Sequence, residues 1–230
     1  MRWLLGSGLL RTFMRSPHFS LLGRQRQLVD LMLRCLPGGG GNKNNTNTSD
    51  GAAGGGEADK EAEAEAASAA LDLVSELAEQ QATTALDAMV CECVYRMLGH
   101  YSANPRVCEG ALRAVCSLCR LRESCQRLAD CGCFFRVLHV STAHETDTVL
   151  CEWTLRALHC FSLRLPSLAP KLCAAGVCEF LSAAIIQHKC SAGVTICALR
   201  ITCGLSADSS VAVRFVRAGM CAVVVRCTRE

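Results

Sequence analysis

Apolar residues recur along most of this chain at spacings of three and four, the signature of helices with one buried face. Leu28, Val29, Met32, Leu33 and Leu36 form the first such stripe. Leu71, Val74 and Leu77 or Ala78 form the next, in a helix expected from about Glu63. Over 83–101, Met89, Cys93 and Met97, with Val90, Val94 and Leu98 offset by one, predict a broad apolar face. Asn104-Pro105 breaks the chain and restarts it, since Pro is favoured in a helix's first turn. From there helices are expected over 123–129, 133–140, 147–163, 167–175, on to Gln187, 191–205, 209–218 and 220–228. The intervening PGGGGNKNNTNTSDGAAGGGEADKEA is nearly free of apolar side chains and reads as a linker over 37–62, because it cannot offset the entropy of ordering.

The helices repeat. CEGALRAV (108–115) returns as CEWTLRAL (151–158) and more loosely as ICALRIT (196–202). Its Leu-Arg pairs, Leu112-Arg113, Leu155-Arg156 and Leu199-Arg200, are 43 and 44 residues apart. A second marker keeps the step: LADCG ends at Gly132, LCAAG at Gly176 and FVRAG at Gly219. Each of these glycines falls between two helices, where a residue tolerating positive φ serves a sharp turn. A period of 40-odd residues predicts a helical solenoid. The last copy has no third helix, so Met220 to Val225 is expected to need a cover: a partner, self-association through 209–228, or further chain.

A short helix, an alanine-glycine turn, a second helix and a longer third helix together resemble the armadillo repeat. RLADCGCFFRVLHV, KLCAAGVCEFLSAA and RFVRAGMCAVVV carry the first part of the likeness. NPRVCEGALRAVCSL, TDTVLCEWTLRALHCF and SAGVTICALRITCGL carry the third helix. The resemblance covers about 67–230. It implies an all-α, right-handed solenoid of about three and a half repeats within 63–230, acting as a protein-interaction scaffold rather than an enzyme. Peptide-binding members of that family present Trp and, four residues on, Asn toward the concave groove. Here the Trp positions are Arg113, Arg156 and Arg200, and the Asn positions are Ser117, Cys160 and Gly204. Those six are the expected groove residues, without the Asn ladder that grips a peptide backbone.

Charge refines this picture. Residues 1–36 carry six Arg against Asp30 alone, and 50–80 carry nine acids against Lys60. The net charge of +3 gives little reason to expect a nucleic acid, though an Arg-rich face binding RNA is the alternative reading. One register of three stacked repeats places Arg113, Arg156 and Arg200 in a ladder about 20 Å long if neighbouring helices lie about 10 Å apart. Guanidinium forks suit carboxylate and phosphate, so the expected partner is an acidic or phosphorylated segment. The chain's own Glu57–Glu65 is one possible occupant. The competing expectation is that these Arg pair with carboxylates or carbonyls of adjacent helices.

Candidate chemistry is sparse. Eighteen cysteines invite a zinc reading of Cys116-x-x-Cys119 with Cys131-x-Cys133. Cys recurs through every repeat, however, and free Cys packs as a small hydrophobe. Cys116, Cys160 and Cys203 are therefore expected to be buried and inert, with no metal and no cofactor. His139 and His159 are expected to line or cap helices. No P-loop, GxGxxG, GxSxG or HExxH is present. No apolar run of membrane-spanning length occurs. The segment 1–36 reads either as a worn solenoid helix or, through its Arg-rich start, as a mitochondrial presequence. The first reading goes with a cytoplasmic location.

Overall fold

A computed structural model describes residues 21–36, 55–80 and 88–227. Among them are twelve α-helices, one short 3-10 turn at Pro166–Leu168, and no strand. In chain order the helices are α1 (Leu21–Arg34), α2 (Gly55–Gln80), α3 (Ala88–His100), α4 (Pro105–Leu118), α5 (Arg122–Asp130), α6 (Cys133–Ala143), α7 (Thr148–Arg164), α8 (Ala169–Ala174), α9 (Val177–Gln187), α10 (Ala192–Leu205), α11 (Ser209–Arg217) and α12 (Met220–Cys227).

Local chemistry sets the boundaries. Asn104 Oδ1 accepts from the backbone N–H groups of Arg106 and Val107 at 3.1 and 3.2 Å, with Pro105 opening α4. Asp147 caps α7 through Val149 and Leu150, Ser191 caps α10 through Val194, and Asp208 caps α11 through Ser210. Each cap satisfies N–H groups that the helix itself leaves unpaired. Gly132, Gly176 and Gly219 have φ of 73°, 89° and 76°. They stand between α5 and α6, α8 and α9, and α11 and α12. Short helix, left-handed glycine, second helix and longer helix thus recur in order.

Two sequence expectations change. The helix read from Glu63 begins at Gly55, so residues 55–62 of the expected linker are helical. Ala, Glu and Lys dominate 57–66, and their high helix propensity extends the segment anchored by Ala64, Ala67 and Leu71. The rest of the linker, 37–54, lies outside the described residues. Met89 is exposed, whereas Val90, Cys91, Cys93, Val94, Met97 and Leu98 make the buried face of α3. In α1, Leu28, Val29 and Met32 are buried against α2 and α3, and the Tyr101 hydroxyl donates to the Cys35 carbonyl at 2.6 Å. That segment packs as a helix of the fold; residues 1–20 lie outside the described residues.

The core runs along the whole length. Val107, Cys108, Ala111, Leu112, Val115 and Leu118 of α4 are fully buried, as are Leu155, Leu158 and Phe161 of α7. The longest helices pack in series, α2 on α4, α4 on α7 and α7 on α10. Connections between copies are also tied. His144 Nε2 donates to the Ser102 carbonyl at 2.8 Å, and Thr148 Oγ1 bonds His188 Nδ1 at 3.1 Å. His144 and His188 occupy the same place in successive copies, just before the cap of α7 and of α10. Among the described residues no single helix is long and apolar enough to cross a membrane.

Candidate functional site

The serial helices α2, α4, α7 and α10 each carry a leucine followed by a charged residue. Leu71, Leu112 and Leu155 are fully buried and Leu199 is half-buried. The next residues are Asp72, Arg113, Arg156 and Arg200. Asp72 stands beside Arg113 because α2 packs on α4. Arg113 Nη1 donates to Asp72 Oδ1 at 3.2 Å, and Nη2 donates to Glu109 Oε1 at 2.6 Å. Arg156 Nη2 donates to Glu152 Oε1, again one helical turn back. Trp153 joins the two: the Arg156 guanidinium lies 4.7 Å and that of Arg113 5.4 Å from its ring centre. Both distances suit cation–π attraction.

Arg200 differs. The glutamate position one turn before it holds Ile196, which is exposed, and among the described residues Arg200 makes no ion pair. Its charge reaches His159, which burial first and Arg200 second hold below the ordinary imidazole range. His159 is therefore a neutral ring at neutral pH. The Asn-position residues follow a gradient: Ser117 is buried, Cys160 is half-buried, and Gly204 is exposed with no atom within 4 Å of where a Cβ would sit. The three arginines share a register, but only Arg200 lacks a carboxylate of its own. Glu61, Glu63 and Glu65 are exposed on α2, so Glu57–Glu65 belongs to a packing helix and not to a loose tether.

The cysteines divide. Ten of the eighteen are buried, as packing residues would be. Cys116 and Cys160 are half-buried and Cys203 is exposed, which corrects the expectation that these three lie in the core. The four cysteines of the zinc reading do not converge. Cys116 and Cys160 lie on different helices, α4 and α7, and Cys131 donates to Glu92 Oε2 at 3.6 Å. Among the described residues no three His, Cys, Asp or Glu side chains group as a metal requires.

Thiol acidities follow these surroundings. Burial pushes Cys108 and Cys178 up to about 12, and Cys35, Cys93 and Cys151 to about 11. Cys160 goes the other way. The neighbouring Cys116 thiol, with Arg164 nearby, holds Cys160 below the ordinary thiol range against the effect of burial, while Cys116 is raised. The sequence marks neither Asp72 nor Trp153 as special, though E-x-x-x-R in CEGALR and CEWTLR does announce the two i,i+4 pairs.

No protein-family model matches the chain, and comparison with curated proteins and with solved structures found no match either.

Proposed function

We propose that the chain is an armadillo-like solenoid and that it works as a protein-interaction scaffold, not an enzyme, holding a partner segment along the face of α2, α4, α7 and α10. The observation that carries this reading is the four-helix register of Asp72, Arg113, Arg156 and Arg200 with Trp153 between its two middle rungs. An arginine has five N–H donors, so Arg113 and Arg156 keep donors for a ligand beyond those their carboxylates use. Trp153 adds a large half-buried apolar surface, the kind of anchor on which binding energy concentrates. Arg200 is the rung best suited to a partner's carboxylate or phosphoryl group. Asp72, Glu109 and Glu152 leave the face mixed in charge, which suits a segment carrying isolated carboxylates or phosphoryl groups better than the continuous polyphosphate of RNA.

Affinity purification with mass spectrometry, comparing the wild-type chain with an Arg113→Glu, Arg156→Glu, Arg200→Glu variant, tests the reading. Loss of specific protein partners from variant protein of unchanged helicity is the expected result. Unchanged partners would refute the ladder. Retention of RNA alone, lost steeply with salt, would replace the protein reading with the nucleic-acid one.

A further inference from the structure

The residues three before and two after each positive-φ glycine differ from copy to copy. They are Ala129 and Phe134 around Gly132, Cys173 and Cys178 around Gly176, and Val216 and Cys221 around Gly219. Only the middle copy sets a thiol on both sides. Gly176 turns the chain so that the end of α8 meets the start of α9, and there the Cys178 thiol donates to Cys173 Sγ at 3.4 Å. A disulfide bond would bring these sulfurs about 1.4 Å closer than they stand. Both thiols are buried, at 3% and 0% exposure, so reaction requires an opening. α8 supplies one: it has six residues and no side-chain cap, so packing alone holds it, and its local opening brings Cys173 to solvent.

We infer that Cys173 and Cys178 form a redox-sensitive pair that closes into a disulfide across the Gly176 turn, by exchange with a small disulfide such as oxidised glutathione. Their roles are unequal. Cys173 accepts the hydrogen bond between them and sits on the helix that opens, so it is the attacking sulfur. Burial raises both thiols, and the hydrogen bond opposes that rise at Cys173 while adding to it at Cys178. The Cys173 thiolate attacks one sulfur of glutathione disulfide, breaking its S–S bond and releasing one glutathione thiolate. Cys178 then gives up its proton, and its sulfur attacks Cys173 in the mixed disulfide and displaces the second glutathione thiolate. The two glutathione thiolates take up the two protons that the cysteines lose. Each protein sulfur is thus oxidised by one electron, and glutathione disulfide is reduced to two thiols. α8 packs on α11 and α9 on α12, so the bond fixes the turn against which the last two helices rest. This thiol chemistry does not depend on what the face of α2, α4, α7 and α10 holds.

The test equilibrates the full chain in glutathione buffers of rising oxidised fraction, then quenches with acid, alkylates in denaturant and digests with trypsin without reduction. Both cysteines fall in one tryptic peptide, Leu172 to Lys189. That peptide should pass from doubly alkylated to unalkylated and lighter by two hydrogens, at an oxidised fraction where Cys125 and Cys133 still alkylate. Reduction before alkylation should restore both alkyl groups. Closure should be lost in Cys173→Ala and in Cys178→Ala while circular dichroism stays at the wild-type value; Ala129 already fills the place of Cys173 in the first copy. In the wild-type chain the closed fraction should fall in urea at the same buffer ratio, and closure should slow amide exchange over 169–175. A peptide that stays doubly alkylated while exposed Cys190, Cys203 and Cys221 carry glutathione would overturn the proposal. So would a stable glutathione adduct on Cys173 or Cys178, closure as complete in urea as in the native chain, or exchange over 169–175 that closure leaves unchanged.

Discussion

Thr154 is fully buried in α7, and among the described residues its hydroxyl has no hydrogen-bond partner. The equivalent residues of α4 and α10 are Ala111 and Ala198, both fully buried, so this position needs only apolar volume. A buried hydroxyl without a partner costs about 1–3 kcal/mol of desolvation. Thr154→Val keeps the shape and removes the hydroxyl. It should raise unfolding stability by about 1 kcal/mol in a denaturant titration. An unchanged or lower midpoint at constant slope would show that the hydroxyl is satisfied in solution. The same contrast between copies separates two glycines. Gly176, at φ 89°, holds a conformation that strains other residues, whereas Gly204 sits inside α10 with open space at its Cβ position. Gly176→Ala should cost about 1–2 kcal/mol. Gly204→Ala should add about 0.5 kcal/mol through helix propensity. Equal effects in the two melts would contradict the assigned backbone roles.

At the scale of elements, helix ends were legible because each is written in local chemistry. Asn104-Pro105, Asp147, Ser191 and Asp208 open helices, and the three positive-φ glycines separate them. Faces were less legible, because a helix pattern shows which residues are apolar but not which neighbour covers them. Met89 belongs to the apolar pattern yet lies outside, and Cys116 and Cys160 look like packing residues yet reach solvent. The start of α2 was missed for another reason. Without apolar side chains at 55–62 there is no periodicity to read, and propensity alone extends the helix. Asp72 escaped notice because α2 lacks the Leu-Arg signature and declares its register only by packing on α4. The histidine ties, His144 to Ser102 and His188 to Thr148, bridge about one repeat of sequence and so have no local signal.

Across the described helices charge is unevenly placed, with the exposed Arg26 and Arg34 of α1 packed beside the acidic α2. On α2, Glu61, Glu63, Glu65 and Glu79 are exposed with Lys60 as the only base, whereas α11 and α12 expose Arg214, Arg217 and Arg226 and carry no acid. The basic helices also expose Val213, Val216 and Val225, and Ile196 is exposed on neighbouring α10. In earlier copies the residues matching Gly204, which are Ser117 and Cys160, are wholly or partly covered. If the exposed valines and arginines of α11 and α12 meet the carboxylates of α2 in a second copy, the contact is head to tail. Such a heterologous contact adds copies without closing unless its rotation happens to make a ring. Sedimentation at low salt should therefore show an average mass that rises with concentration. It should fall back at about 1 M salt, where the Debye length is about 3 Å. Val213→Glu with Val216→Glu should hold the mass at that of one chain while leaving helicity intact. A wild-type chain that stays monomeric at every concentration in low salt would remove self-association through 209–228 from consideration and leave that surface to a different partner.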